Sequence, residues 1–247
     1  MRVSLEKASL DVSVVIPVFN EEESLPGLFE RLFPVMEGLG KSWEVVFVND
    51  GSRDRSLALL LGEVDRHPGS VRVVDFNGNF GQHMAIMAGF SVSRGNAVVT
   101  MDADLQNPPE EIPRLLERMD AGFDVVGTIR STRKDPLFRK FASKVVNRIT
   151  NRITGLNLHD YGCMLRAYSR RVVDLINSCP ESTTFIPALA QKFALNPTEI
   201  EVGHSERELG TSKYSLFRLI RLNFDLMTGF SLVPLQAVTM LGLLIAG

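Results

Sequence analysis

Two aspartates, Asp102 and Asp104, stand one residue apart directly after a strand-like apolar segment. In an extended chain, residues i and i+2 project in the same direction, so both carboxylates are expected to face one point. Carboxylates this close repel each other unless a cation or a shared proton lies between them. Mg²⁺ or Mn²⁺, held by one or two carboxylates together with substrate phosphates, would remove that repulsion. The pair therefore predicts a divalent-cation site, although taken alone it also fits a polar turn between strand and helix.

A helix is predicted to begin immediately after this acidic pair. Asn107 can cap its first turn, and Pro108 suits its first position. Glu110 and Glu111 favour the positive end of the helix dipole. We expect this helix start to hold the acidic segment in place.

Short runs rich in β-branched residues alternate with stretches that carry Leu and Phe at helical spacing. The strands are predicted at 12–19, 44–50, 71–76 and 97–102, and the helices at 24–38, 54–66 and 81–94. This order predicts an α/β fold with a doubly wound, mostly parallel sheet, in which ligands bind beyond the carboxyl ends of the strands. The polar residues after the strands are expected to meet there: Asn20, Glu21, Asp50, Asp102 and Asp104.

Composition and motifs exclude several other classes. A net charge of −2 over 247 residues and a pI near 6.1 give no nucleic-acid signature. Cys163 and Cys179 make no disulfide framework, and the first residues lack a signal-peptide run, which predicts a reducing cytosol. No P-loop occurs, and "GNFGQH" at 78–83 departs from the dinucleotide fingerprint. The four histidines are scattered, so zinc-ligand spacing is missing too.

The second half of the chain carries segments typical of a membrane surface. Residues 136–154 place Lys and Arg every four residues beside an apolar row, which predicts an amphipathic interface helix. A solvated basic face is the alternative. Residues 215–230 are interpreted as a juxtamembrane helix, and 231–247 as the start of a transmembrane region or as a buried C-terminal helix. The catalytic domain would then span residues 1–214.

Six segments, in this order and spacing, carry a family resemblance: "VVIPVFNEEESL", "VNDGSRDRS", "MDADLQNPPEEIP", "DVVGTIR", "DYGCMLRAY" and "ERELGTSKYS". They resemble the inverting GT-A glycosyltransferases of family 2, and within them the branch that loads sugars onto polyprenyl phosphate. The resemblance implies a Rossmann-like GT-A fold and metal-dependent transfer from a UDP-sugar to undecaprenyl phosphate at the cytoplasmic face of the membrane. The implied sugar is 4-deoxy-4-formamido-L-arabinose, used in the lipid A modification behind polymyxin resistance. Bactoprenol glucosyltransferases and dolichyl-phosphate mannose synthases are neighbouring alternatives, and a tetramer is common in the branch.

The resemblance also assigns roles to the donor residues. It implies that Pro17, Asn20 and Glu21 surround the nucleotide and that Asp50 contacts the base. Asp102 and Asp104 match the family's D-x-D motif, with Gln106 near the same Mg²⁺ or Mn²⁺.

On the acceptor side, the Q-x-x-R-W-type segment found near the base of many relatives is missing. A phosphate acceptor permits this, since its second pKa of about 6 leaves it largely ionised at neutral pH. Asp160 is expected to position the acceptor or act as a weak base. The implied phosphate-binding residues are Arg207, Ser212 and Lys213, with Arg130, Arg139 and Lys140 for the acceptor and Arg166 as a weaker candidate. A nucleotide-sugar-sensing membrane module and a soluble nucleotidyltransferase are the alternatives outside this branch.

Overall fold

A computed structural model describes residues 10–130, 163–179 and 186–203, together with Thr239. Its centre is one mixed sheet of seven strands in the order β3-β2-β1-β4-β6-β5-β7. The strands are β1 Leu10–Val18, β2 Trp43–Asn49, β3 Val71–Asp75, β4 Gly95–Thr100, β5 Val125–Arg130, β6 Arg166–Ser169 and β7 Pro197–Val202. The described helices are α1 Leu25–Gly38, α2 Ser56–Arg66, α3 Gln82–Val92, α4 Ile112–Asp120, α5 Arg170–Asn177 and α6 Ile186–Phe193.

The first four strands pair in parallel, as the alternation of strands and helices predicts. β1 lies between β2 and β4, and β3 continues the sheet beyond β2. The predicted strands and helices of this half agree with the structure to within about two residues at each end. β6 runs antiparallel to both β4 and β5, which makes the sheet mixed, while β5 and β7 are parallel.

Both faces of the sheet are covered, which explains why its strands are apolar on both sides. On one face, Val14 and Ile16 of β1 pack with buried side chains of α1, α2 and α4. On the other face, Val15 packs with buried side chains of α3, α5 and α6. Two apolar layers of this kind hold the strand ends in fixed relative positions.

The helix start after the acidic pair differs from its prediction. A 3₁₀ turn, Pro109–Glu111, comes first, with Pro108 as its extended cap residue and no side-chain capping bond. Asn107 therefore does not cap the helix, and its side chain is instead buried. Glu110 pairs with Arg31 of α1 at 2.8 Å. The prediction erred because Pro108 takes an extended conformation and the turn begins one residue later.

Among the described residues, no helix is long and apolar enough to cross a bilayer. The predicted interface helix 136–154 and juxtamembrane helix 215–230 lie outside the described residues, as does all of 231–247 except Thr239.

Candidate active site

The carboxyl ends of β1, β2 and β3 surround a cleft of about 480 Å³. Parallel strands bring these ends to the same edge of the sheet, where ligands bind in open α/β folds. The cleft is lined by Phe19, Asn20, Asn49, Gly51, Ser52, Arg53, Leu57, Asp75, Phe76, Asn77, Gly78 and Asn79. Of the predicted nucleotide-binding residues, Asn20 is thus on the cleft wall, while Pro17 is half-buried within β1.

The acidic pair follows β4 at the same edge of the sheet. Asp102 and Asp104 are both partly exposed, whereas Ala103 between them is buried at 3% exposure. Oδ1 of Asp104 accepts a hydrogen bond from the backbone N–H of Gln106 at 3.2 Å. Leu105 has a φ of 61°, a left-handed conformation that non-glycine residues rarely adopt. The segment is therefore a tight turn that keeps both carboxylates at the surface.

One carboxylate of the pair is oriented by a residue that sequence reasoning missed. Gln82, the first residue of α3, donates a side-chain hydrogen bond from Nε2 to Oδ1 of Asp102. Gln82 and Asp102 are twenty positions apart in the chain, so no local sequence pattern indicates this hydrogen bond. Gln82 therefore joins the loop after β3 to the acidic turn after β4.

Asp50 holds the start of α3 in position. Its carboxylate oxygens accept the backbone N–H groups of Phe80 at 2.7 Å and Gly81 at 2.9 Å. Its own N–H donates to the carbonyl oxygen of Val18 at 2.8 Å. Only 3% of Asp50 is exposed. The geometry thus gives Asp50 a structural role, and its contact with a base stays a prediction.

The loops after β1 and β2 are tied together through Asn20. This residue has a φ of 54°, and its N–H donates to Ser52 Oγ at 3.0 Å. Its Oδ1 accepts the N–H of Arg53 at 2.8 Å. The N–H of Glu21 donates to Ser56 Oγ at 2.9 Å. Asparagine tolerates the left-handed conformation because its short polar side chain can bond locally, as it does here.

The carboxylate of Asp54 makes a further tie between these two loops. It accepts the N–H of Glu22 at 3.1 Å and the N–H of Ser56 at 3.0 Å. Burial raises the pKa of Asp54, but hydrogen bonds from Ser56 and Glu22 outweigh it and leave the pKa lowered. Asp54 is therefore expected to stay ionised while it braces the cleft.

The loops after β2 and β3 approach so closely that glycine is required. Gly51 has a φ of +67°, and a Cβ placed on it would lie 2.5 Å from the carbonyl carbon of Gly78. Both residues line the cleft. The narrow contact between two backbones defines this part of the cleft wall.

A buried polar cluster supports the acidic turn from below. Cys163 Sγ lies 2.8 Å from Thr128 Oγ1 of β5 and 3.4 Å from Asn107 Oδ1. Thr128 also donates to the carbonyl oxygen of Leu165 at 2.7 Å. Cys163 and Cys179 are not joined in a disulfide. Asn107 thus connects the acidic turn to Cys163, which lies before β6, and through Cys163 to Thr128 of β5.

Several of the residues predicted to bind phosphate or the acceptor are buried or lie outside the described residues. Arg130 is the last residue of β5, and its side chain is not described. Arg166 is buried at 1% exposure, and its Nε donates a hydrogen bond to the carbonyl oxygen of Cys163 at 2.9 Å. This burial contradicts a surface position for Arg166. The remaining predictions fall outside the described residues: Arg139, Lys140, Asp160, Arg207, Ser212 and Lys213.

Within the described ranges, no three His, Cys, Asp or Glu side chains group closely enough to hold a metal ion by themselves. Asp102 and Asp104 are two accessible oxygen ligands, which is the number that Mg²⁺ commonly takes from a protein when substrate phosphates supply others. The residues present therefore fit a cation that arrives with a phosphorylated ligand.

Comparison with solved structures shows which fold this is. Glucosyl-3-phosphoglycerate synthase from Mycobacterium tuberculosis, in complex with phosphoglyceric acid, matches with a TM-score of 0.65 at 17% identity, over 91% of this chain and 81% of that one. The same enzyme in complex with Mn²⁺, UDP-glucose and phosphoglyceric acid matches with a TM-score of 0.64 at 17% identity, over 90% and 80%. The expected GT-A-like fold is confirmed.

Comparison of sequences shows the family. The sequence model of the family described as Glycosyl transferase family 2 matches residues 13–176. Two relatives, from Salmonella paratyphi B and Salmonella newport, are named undecaprenyl-phosphate 4-deoxy-4-formamido-L-arabinose transferase. Each is 53% identical over 235 residues, covering 95% of this chain and 72% of the relative. The chain therefore is a glycosyltransferase and belongs to glycosyl transferase family 2.

Proposed function

We propose that this chain transfers a sugar from a UDP-sugar to undecaprenyl phosphate, with UDP-4-deoxy-4-formamido-L-arabinose as the donor. The names of relatives 53% identical to it support the sugar and the acceptor. The observation that carries the proposal is the position of Asp102 and Asp104 at the same sheet edge as the cleft, with Asp102 held by Gln82. The reaction would take place at the cytoplasmic face of the membrane.

The cleft has the size and lining that a nucleotide needs. About 480 Å³ falls within the range of roughly 300–1,000 Å³ typical of small-molecule sites. Amide and hydroxyl side chains such as Asn20 and Ser52 supply polar contacts, and Phe19 and Phe76 supply flat apolar surface. Pro17, Glu21 and Asp50 would act mainly by shaping the loops around the nucleotide.

Asp102 and Asp104, with Gln106 beside them, are the residues that would hold Mg²⁺ or Mn²⁺. When bound, the cation neutralises charge on the diphosphate of the leaving UDP. Gln82 fixes Asp102 before the donor arrives, and the turn at Leu105 keeps Asp104 at the surface. The glucosyl-3-phosphoglycerate synthase of the same fold, solved with Mn²⁺ and UDP-glucose, supports this proposal.

The transfer would invert the sugar in one displacement. A phosphate oxygen of the acceptor forms a bond to the anomeric carbon while the bond from that carbon to the UDP oxygen breaks. Because the phosphate is already ionised at neutral pH, the acceptor needs no strong base, and Asp160 would position it. The cationic and hydroxyl residues that would receive the phosphates are Arg130, Arg139, Lys140, Arg207, Ser212 and Lys213.

A calorimetric titration of UDP, with and without Mn²⁺, tests the donor site on the chain and on Asp104→Asn. We expect Mn²⁺-dependent binding that the substitution abolishes, and unchanged binding in the control Asp65→Asn, which alters an exposed aspartate near the end of α2. A panel of UDP-sugars with undecaprenyl phosphate then identifies the donor. UDP binding without turnover on any sugar would favour a sensing module, and full activity with both aspartates replaced by Asn would refute the metal site.

A further inference from the structure

One acidic side chain on the cleft wall takes no part in the roles given above. Asp75 is the last residue of β3, is exposed, and lines the cleft. Its Oδ1 accepts a hydrogen bond from Nδ2 of Asn49 at 2.7 Å. Among the described residues, no hydrogen bond reaches its Oδ2.

Asn49 is itself held in one orientation. It is buried at 2% exposure, at the end of β2, and its Oδ1 lies 3.3 Å from the N–H of Ser52, which it accepts. Its amide nitrogen must then point at Asp75. The pairing fixes which oxygen of Asp75 is engaged inside the protein and leaves the other for a ligand.

The neighbouring acid after β2 is placed differently. Asp50 is almost fully buried, both of its oxygens accept backbone N–H groups, and it is not among the residues that line the cleft. Asp75 is the carboxylate on the wall of the cleft. Asp75 and the cationic Arg53 are the two charged residues among those that line the cleft.

We infer that Asp75, oriented by Asn49, reads the nucleobase of the donor by accepting its ring N–H, and thereby selects uracil over cytosine. This inference rests on the proposed UDP-sugar function. Uracil carries a proton on N3, which a carboxylate oxygen can accept in a charge-assisted hydrogen bond. Cytosine presents a lone pair at the same position, so the carboxylate would face an acceptor and repel it. A site built to pair with a substrate N–H rejects an analogue that lacks it more strongly than an apolar pocket could.

If Asp75 selects uracil, the variant Asp75→Asn should change which base the cleft prefers. Asn49 still donates to position 75, so the new side chain must direct its oxygen toward Asn49 and its NH₂ group into the cleft. An NH₂ group repels the N3–H of uracil and pairs with N3 of cytosine. We expect the ratio of the dissociation constants, CDP over UDP, to fall by at least about tenfold, the effect of losing one charge-assisted hydrogen bond.

The measurement is calorimetric titration of UDP and CDP in the presence of Mn²⁺, on the unmodified chain, Asp75→Asn and the matched control Asp65→Asn. The control removes the same charge from an exposed position at the far end of α2 and should leave the ratio unchanged. Thermal unfolding of each variant shows whether it folds. If Asp75→Asn does not, Asp75→Ala replaces it, with the ratio expected to move toward one.

An unchanged ratio in a folded Asp75 variant would overturn the role of Asp75, while UDP binding by the same sample would leave the proposed function standing. If the unmodified, folded chain binds no UDP, both proposals fall together. A ratio that drops equally in the Asp65 control would show a general charge effect and would also overturn the inference.

Discussion

Nε2 of Gln82 donates a hydrogen bond to Oδ1 of Asp102, and this bond joins the first residue of α3 to the acidic turn after β4. Asp50 makes the bond possible because its carboxylate holds the N–H groups of Phe80 and Gly81, directly before Gln82. Asp50, after β2, thus helps to set the position of Asp102, after β4, through the short loop that precedes Gln82. Pre-positioned groups of this kind reduce the reorganisation needed when charge develops in a site.

Replacing Gln82 by Leu should weaken cation-dependent UDP binding by about tenfold, because Asp102 loses the donor that orients it. Gln82 is partly exposed, so the melting temperature should change little. Titration of Mn²⁺ into the chain by electron paramagnetic resonance, in the presence of UDP, measures the effect on the cation directly. If Mn²⁺ and UDP bind the variant as tightly as the unmodified chain, Gln82 does not position Asp102.

Replacing Gly51 by Ala should abolish UDP binding and destabilise the fold. The new Cβ would lie 2.5 Å from the Gly78 carbonyl carbon, so the loop after β3 would have to move. The left-handed φ of +67° adds a cost of about 1–2 kcal/mol for a residue with a Cβ. Thermal unfolding and UDP titration together measure the two effects.

Gly62→Ala is the matched control for that variant. Gly62 lies inside α2, and a Cβ placed on it meets nothing within 4 Å. Alanine in a helix interior is favoured over glycine by about 0.5–1 kcal/mol, so this variant should be slightly more stable and bind UDP normally. Equal behaviour of the two variants would contradict the close contact between Gly51 and Gly78.

The sequence predicts the first half of this fold well because each element there has a strong local pattern. β1 is apolar from Val14 to Val18 and β2 from Val45 to Val48. α1 carries Leu25, Leu28 and Leu32 at helical spacing. Periodicity of this kind depends on neighbouring residues alone, so it can be found without knowing the fold. The convergence of polar residues at one sheet edge then follows from the parallel order.

The parts that were not predicted depend on contacts between distant residues. Gln82 finds Asp102 only after α3 and β4 are placed, and Asn49 finds Asp75 only after β2 and β3 pair. Asn107 has the residue type of a helix cap, but its burial beside Cys163 decides its role. The sequence of β6 likewise contains no local pattern that indicates its antiparallel direction.

Replacing Asn107 by Asp should destabilise the chain by about 1–3 kcal/mol, because a carboxylate would be buried where an amide now sits. Asn107 is 4% exposed, and its Oδ1 lies 3.4 Å from the Cys163 thiol. Urea unfolding at neutral pH measures the loss. The same change at the exposed Asn96 of β4 should alter stability by no more than about 0.5 kcal/mol. If Asn107→Asp and Asn96→Asp lower the free energy of unfolding by similar amounts, the buried cluster around Asn107 and Cys163 does not require a neutral side chain at position 107.

At the opposite edge of the sheet, Glu44 of β2 should make stability depend on pH. Its side chain is fully buried and accepts hydrogen bonds from Ser13 Oγ at 2.7 Å and from Arg94 Nε at 2.9 Å. Burial raises the pKa of Glu44, but the bonds from Ser13 and Arg94 and the charge of Arg94 outweigh it, so the pKa is lowered. A carboxyl whose pKa is lower in the folded state contributes stability above its unfolded pKa, and that contribution is lost as pH falls through the folded pKa.

Glu44→Gln should therefore lower the free energy of unfolding at pH 7 by about 1.5–3 kcal/mol, and the decline of this free energy below about pH 4.3 should become less steep. Urea unfolding from pH 7 to pH 3 measures both effects, with Glu30→Gln on the exposed face of α1 as the control. UDP affinity should stay unchanged, because Glu44 is near the start of β2 and the cleft lies at its end. An unaltered pH profile in Glu44→Gln would mean that the arginine pairing does not hold this edge of the sheet.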